Sequence, residues 1–177
     1  MSDTPISTRY GVAIGLVYGK EIYLSRRTET VVAFPKKWQF INGRMHGTEQ
    51  SKTAAIRLVE QQAGIFLEEN RLHPMPHIEI PNSGEFYYVY FVHLTENEKP
   101  ATDDINERCR GPWKQFPIEK AAILDVVTGI RPILRNLQAA LKRVESENLR
   151  NKVLSTSTAE EISSQMADQV AFQYGVD

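Results

Sequence analysis

Cysteine is almost absent from this chain. The one thiol, Cys109, excludes an intramolecular disulfide framework and suits a reducing compartment. Long apolar runs are missing too, and nothing approaches the roughly 20 residues that a membrane-spanning helix needs. Neither sign of charge is in surplus: 21 basic residues stand against 22 acidic ones, for a net charge of −1. That balance gives no general attraction to a nucleic-acid backbone. The start, Met1-Ser-Asp-Thr-Pro, lacks the charged-then-apolar pattern of a secretion signal. No internal repeat is present. The expectation is a cytoplasmic protein without a membrane partner, for which general nucleic-acid binding is disfavoured. What remains is ordinary globular composition, 41% hydrophobic and 24% charged over 177 residues, enough for one domain with a real core.

Along the chain, residues 8–17 alternate small and bulky apolar groups and predict a buried strand. Gly19-Lys20 is a turn, and 21–26 predicts the returning strand of a hairpin. Residues 27–37 read as a loop broken by Pro35, and 38–41 as a short strand. A helix is predicted over 48–63, with Thr48 as N-cap, Glu49 at its positive end and Gly64 at the left-handed C′ position. Residues 77–80 and 86–94 read as strands around an Asn82-Ser-Gly84 turn. Apolar groups on both faces make the second of these central. Residues 95–110 read as a charged loop, 111–117 as an aromatic turn, and 131–147 as an amphipathic helix through Ile133, Leu134, Leu137 and Leu141. Thr158 and Glu161 resemble a capping box opening one more short helix. The predicted class is α+β, an α/β/α sandwich around one mixed sheet. The predicted domain covers residues 1–148, followed by an extension over 149–177.

The segment 43–65 carries the chemistry. Gly43, Glu49, Arg57, Val59, Gly64 and Ile65 fall in register with G-x5-E-x7-R-E-U-x-E-E-x-G-U, where U is a bulky aliphatic residue. This pattern identifies a resemblance to the Nudix (MutT-like) superfamily. It is reinforced by Arg26-Arg27 at the hairpin's end, by the entering Trp38 and by Trp113-Lys-Gln-Phe116-Pro, and it extends over about residues 10–144. The resemblance implies a Nudix fold with a central mixed sheet, a box helix and C-terminal helices. It also implies a Mg²⁺- or Mn²⁺-dependent hydrolase of nucleoside diphosphate derivatives, and a structural pair between Glu49 and Arg57.

Three positions depart from the pattern. Where the family has glutamates, this chain has Leu58, Gln61 and Gln62. Positions spaced i, i+3 and i+4 converge on one helix side, and a hard dication wants carboxylate oxygens there. With 100° per residue counted from Ala55, Ala55, Ile56, Val59 and Ala63 span roughly 0–100°, the predicted core face. Positions 58, 61 and 62 fall at roughly 240–340°, so Leu58 is expected to face the site and not the core. Glu60, near 140°, points elsewhere. Ahead of the box, Ile41-Asn42 replaces the family's proline and glycine, and Asn42 is expected to tolerate a positive φ.

The reading is a degenerate box: no metal, no cofactor and no catalytic residue are expected. The ligand-binding candidates are Arg26, Arg27, Trp38, Asn42, Gly43, Arg44 and His46. Alternation lets only one of Arg26 and Arg27 face a cleft. His73, His77 and His93 are scattered and show no ligand spacing. Glu96, Glu98 and Glu107 read as solvated loop charges, against a rescue base in the loop where some relatives place one. Tyr87, Tyr88, Tyr90 and Phe91 read as strand packing, against base stacking. The expected role is binding a nucleotide-diphosphate-type ligand or a protein partner, the latter or a homodimer through the C-terminal helices. A hydrolase with non-standard carboxylates, an assembly subunit and an RNA-binding Nudix module stay open as alternatives.

Overall fold

The computed structural model describes residues 9–80, 83–101 and 110–139, with 142, 143, 146 and 150 beyond them. The reading of 158–170 as a helix lies outside the described residues. Residues Met1–Gln138 form one compact unit and Ala139–Asp177 a second. No helix among the described residues is long and apolar enough to cross a membrane.

The first unit is built on a seven-stranded mixed sheet. Its strands are β1 (Arg9–Tyr18), β2 (Glu21–Arg27), β3 (Trp38–Gln39), β4 (Ile41–Arg44), β5 (His73–Ile80), β6 (Glu85–His93) and β7 (Arg110–Pro117). The order is β3-β2-β1-β6-β5, with β4 on β1 and β7 on β2. β1 runs parallel to β6 and antiparallel to β2 and β4. It is buried without a break from Gly11 to Val17, as expected of a strand covered on both faces.

Side chains alternate between the two faces. On one face, Val12, Ile14 and Leu16 of β1 join Tyr90 and Val92 of β6 and Ile41 of β4. Helix α1 (Ser51–Ala63) closes that face with Ala54, Ala55, Leu58, Val59 and Ala63. On the other face, Ala13, Val17, Phe40, Val89 and Phe91 are buried, and Phe40 meets Phe91 edge-to-face at 5.8 Å. Helix α2 (Ile118–Ala121) packs against β2 and β7, and a further helix, α3, covers 130–139. Ile118 of α2 and Ile130, Ile133, Leu134 and Leu137 of α3 are buried. Helices therefore lie on both faces of one mixed sheet, the expected α+β class.

Local signals explain most of the boundaries. Gly64 ends α1 at φ 67°, and its N–H donates to the Glu60 carbonyl at 3.0 Å; the left-handed conformation suits glycine. The start of α1 differs from expectation. Thr48 does not cap it; the helix begins at Ser51 behind an extended Gln50 that makes no side-chain cap. Glu49 is committed elsewhere, as described below. The segment expected to be an aromatic turn, 111–117, is strand β7. Its prolines, Pro112 and Pro117, are tolerated because, among the described residues, β7 pairs only with β2 and has an outer edge without a partner strand. At the opposite edge, β5 carries Pro74 and Pro76 and shifts register against β6 between Met75 and Ile78.

Candidate functional site

The box loop is held by Arg57. Its Nε donates to Glu49 Oε1 at 2.9 Å and its Nη2 to Glu49 Oε2 at 2.8 Å. Nη2 also reaches the Arg44 carbonyl at 3.1 Å. Glu49 in turn accepts the His46 backbone N–H at 3.0 Å. Hydrogen bonding to the Arg57 guanidinium, helped by the His46 amide, holds the Glu49 carboxyl down to about 2. One residue thus clamps the end of β4, the loop and the helix together.

Leu58 is where the sequence reading needs correcting. It does not face a site: it is 5% exposed and lies in the core cluster under β1 and β4. A Cβ built on Gly43 would meet Leu58 Cδ2 at 2.5 Å, so this leucine fills the space that the glycine leaves open. The buried arc of α1 reaches from Ala54 to Ala63 through Leu58, wider than the wheel predicted, because the helix packs on β4 as well as on β1.

The two amides are also engaged. Gln61 Oε1 accepts from Arg57 Nη1 at 3.4 Å. Gln62 Nε2 donates to the Asn42 carbonyl at 2.9 Å, and the Gln62 carbonyl accepts the Trp113 indole N–H at 3.2 Å. A buried leucine and two engaged neutral amides do not fit a hard dication, which wants carboxylate oxygens. Among the described residues, no three of His, Cys, Asp and Glu cluster closely enough to hold a metal.

The cavity lies on the face of the sheet away from α1. It measures about 200 Å³, and its walls include Ala13, Phe34, Phe40, Ile78, Tyr87 and Ile130. Arg27, Asn42, Glu85 and Thr128 add polar groups. Ala13 and Asn42 are register partners across β1 and β4, which puts both side chains on this face. Asn42 Nδ2 donates to the Phe40 carbonyl at 3.0 Å and to Gln39 Oε1 at 3.2 Å. Arg27 Nη1 donates to the same Gln39 oxygen at 2.6 Å. Both protons of the Asn42 amide are therefore used inward, and its Oδ1 is the atom left to accept from a ligand. Burial raises the Tyr87 phenol above its ordinary value, with Glu85 adding to the shift, so this hydroxyl stays protonated.

The loop over the cavity is anchored by the paired arginines. Arg26 Nε donates to the Lys36 carbonyl at 2.7 Å, and Arg27 Nε to the Ala33 carbonyl at 2.9 Å. Between those anchors Phe34 and Lys36 take φ values of 52° and 63°, uncommon for residues with side chains. That conformation sets Phe34 on the cavity.

The expected ligand residues separate. Arg27 and Asn42 line the cavity. Asn42 is a strand residue whose φ is not positive, so the tolerance expected of asparagine is not called on here. Gly43 lies under Leu58, on the opposite face. Arg44 sits at the rim, 4.0 Å from Glu85, and His46 is exposed in the loop. Trp38 is not in this cavity; it stands edge-on to Phe116 at 4.8 Å beside a second concavity that Arg26 also lines. Phe34, Ile78, Glu85 and Ile130 went unrecognised in the sequence. Only the pairing of Tyr87 with Gly11, whose missing side chain gives that ring its room, hints at a cavity there.

Comparison with known proteins agrees with this architecture. The NUDIX domain family model matches residues 8–137. A mutT/nudix family protein from Listeria innocua is 17% identical, with a TM-score of 0.61 over 77% of this chain and 96% of that one. The MutT NUDIX hydrolase of Burkholderia pseudomallei is 20% identical, with a TM-score of 0.58 over 72% and 95%. The C-terminal domain of mouse MUTYH, solved in complex with human PCNA, is 18% identical, with a TM-score of 0.56 over 75% and 88%. At these identities the likeness is one of fold. No curated protein matches the chain. With the family model spanning most of its length and the box frame in register, the chain belongs to the NUDIX domain family.

Proposed function

We propose that this chain binds a nucleotide-type ligand without hydrolysing its diphosphate. The observation that carries the reading is the fate of the box positions. Leu58 is packed in the core, and the Gln61 and Gln62 amides are tied to Arg57 and to the Asn42 carbonyl. Phosphoryl chemistry needs cationic neutralisation of several phosphate charges during attack, and among the described residues no set of carboxylates stands there to recruit it.

Binding is favoured by the cavity. Aromatic and aliphatic walls with a few convergent polar groups are what a ring ligand requires. At about 200 Å³ it is smaller than the roughly 300–1,000 Å³ of most ligand sites. It therefore suits a single ring system, with the rest of the ligand outside. Asn42 Oδ1 and Glu85 present acceptors to ring N–H donors.

The test is a panel of nucleosides and nucleoside diphosphate derivatives, assayed with and without Mg²⁺ or Mn²⁺. The expected result is metal-independent thermal stabilisation, about 2.7 kcal/mol at a hundredfold excess over Kd, with no product release. Metal-dependent turnover of any member would overturn the reading.

A further inference from the structure

A second concavity, of about 270 Å³, lies beside the ring cavity and includes Arg26, Arg27, Thr28, Trp38, Pro112 and Lys114 in its lining. Trp38, Lys114 and Arg26 share one face of the sheet: Trp38 is the register partner of Arg26, and Lys114 that of Leu24. Among the described residues the lining has no acidic member. Neighbouring Lys36 and Lys37 are paired with Glu29 and Asp125. Arg26 and Lys114 enter no ion pair among the described residues. Glu29, whose carboxyl senses Arg26, is bonded to Lys36. The Lys36 carbonyl fixes Arg26 through its Nε. Lys114 Nζ stands 5.9 Å from the centre of the Trp38 ring, which Phe116 braces from its edge. Two cations are thus positioned over a small depression with a firm aromatic wall.

The ring cavity cannot house a phosphate chain. It is too small, and Glu85 in its wall repels anions. The chain must leave, and Arg27 is the residue that lines both concavities. We propose that the second concavity is the anion subsite for the same ligand. It takes a phosphate-type group between Arg26 and Lys114, at the side of the Trp38 ring, while the ring of the ligand lies across Arg27 in the first cavity. The ring half rests on the function proposed above; the anion half stands by itself. The phosphates of this ligand then lie on the face of the sheet away from the box helix, held by side-chain cations and not by metal.

The experiment titrates the full chain, without metal, with inorganic pyrophosphate, with nucleosides and with the matching nucleoside diphosphates. Calorimetry at low and high salt compares the natural protein with Lys114→Glu and Arg26→Gln. Lys114 is exposed, so its variant should fold, and circular dichroism checks this. Pyrophosphate should bind, more weakly at high salt, and each variant should weaken it about tenfold, a difference of about 1.4 kcal/mol. The nucleoside diphosphate should lose affinity by the same factor while the nucleoside loses none. Pyrophosphate binding that the variants abolish, with no nucleoside binding, upholds the anion subsite and sinks only the ring reading. Absent pyrophosphate binding, or binding indifferent to both variants, overturns the proposal. A single-stranded oligonucleotide that binds more tightly than any diphosphate, with the same variant dependence, overturns its assignment to a small ligand.

Discussion

Arg57 is 22% exposed in its side chain and Glu49 13%, so their two-point contact is screened less than a surface pair. Arg57→Ala removes the partner of a largely buried carboxylate and a bond to the Arg44 carbonyl. It should lower stability by about 1–3 kcal/mol, read by urea unfolding. A variant as stable as the natural protein would mean that the loop holds without its clamp. Leu58 gives a second test at this scale. Replacing it with glutamate, as the family pattern would suggest, puts a carboxylate into a core position. Leu58→Glu should cost at least about 2 kcal/mol, whether or not Gln61 and Gln62 are also changed. A Mg²⁺-dependent rise in Tm for the triple glutamate variant would show that the helix end can still open into a metal site.

Helix α1 and strand β4 fit each other through one missing side chain. Gly43→Ala should drive a methyl group into Leu58 and destabilise by about 1–3 kcal/mol. Leu58→Ala should cost about 2–5 kcal/mol through its cavity. Combined, they should cost less than their sum, because each relieves the other's fault; strict additivity in chemical unfolding would disprove the contact. This interlock shows what was legible in the sequence. The frame of α1 was, since Gly64 and the spacing of Glu49 and Arg57 are fixed by backbone conformation and by charge. The side of Leu58 was not. A helical wheel assumes one covered face, whereas this helix packs against both β1 and β4 and so buries a wider arc. Strand β7 was hidden by prolines that only an edge position excuses. The cavity was illegible for a different reason. Ala13, Arg27, Phe34, Asn42, Tyr87 and Ile130 come from separate elements and have no common spacing.

At the scale of the molecule, two ion pairs contribute to the response to acid. Glu98 accepts Arg71 Nη1 at 2.6 Å and Nη2 at 2.7 Å. Hydrogen bonding to that guanidinium holds its carboxyl at about 2, as Arg57 does for Glu49. Both start from an ordinary value of 4.5. A depressed carboxylate stabilises the fold above its unfolded value and loses that contribution as pH falls through its folded value. Stability should therefore drop between about pH 4.5 and pH 2, and Tm in Glu49→Gln/Glu98→Gln should change less over that window. An unchanged slope would place the acid sensitivity elsewhere. The sheet's borders carry a further consequence. Among the described residues β5 and β7 each pair on one side only, and each gives up backbone donors, at Pro74 and Pro76 in one and at Pro112 and Pro117 in the other. A visiting strand from another molecule would find missing rungs on either border, with a register break on β5 and a lysine on β7 besides. Strand-to-strand polymerisation, the ordinary hazard of an open sheet at high concentration, is thereby discouraged by the same residues that concealed β7 and the first half of β5 in the sequence.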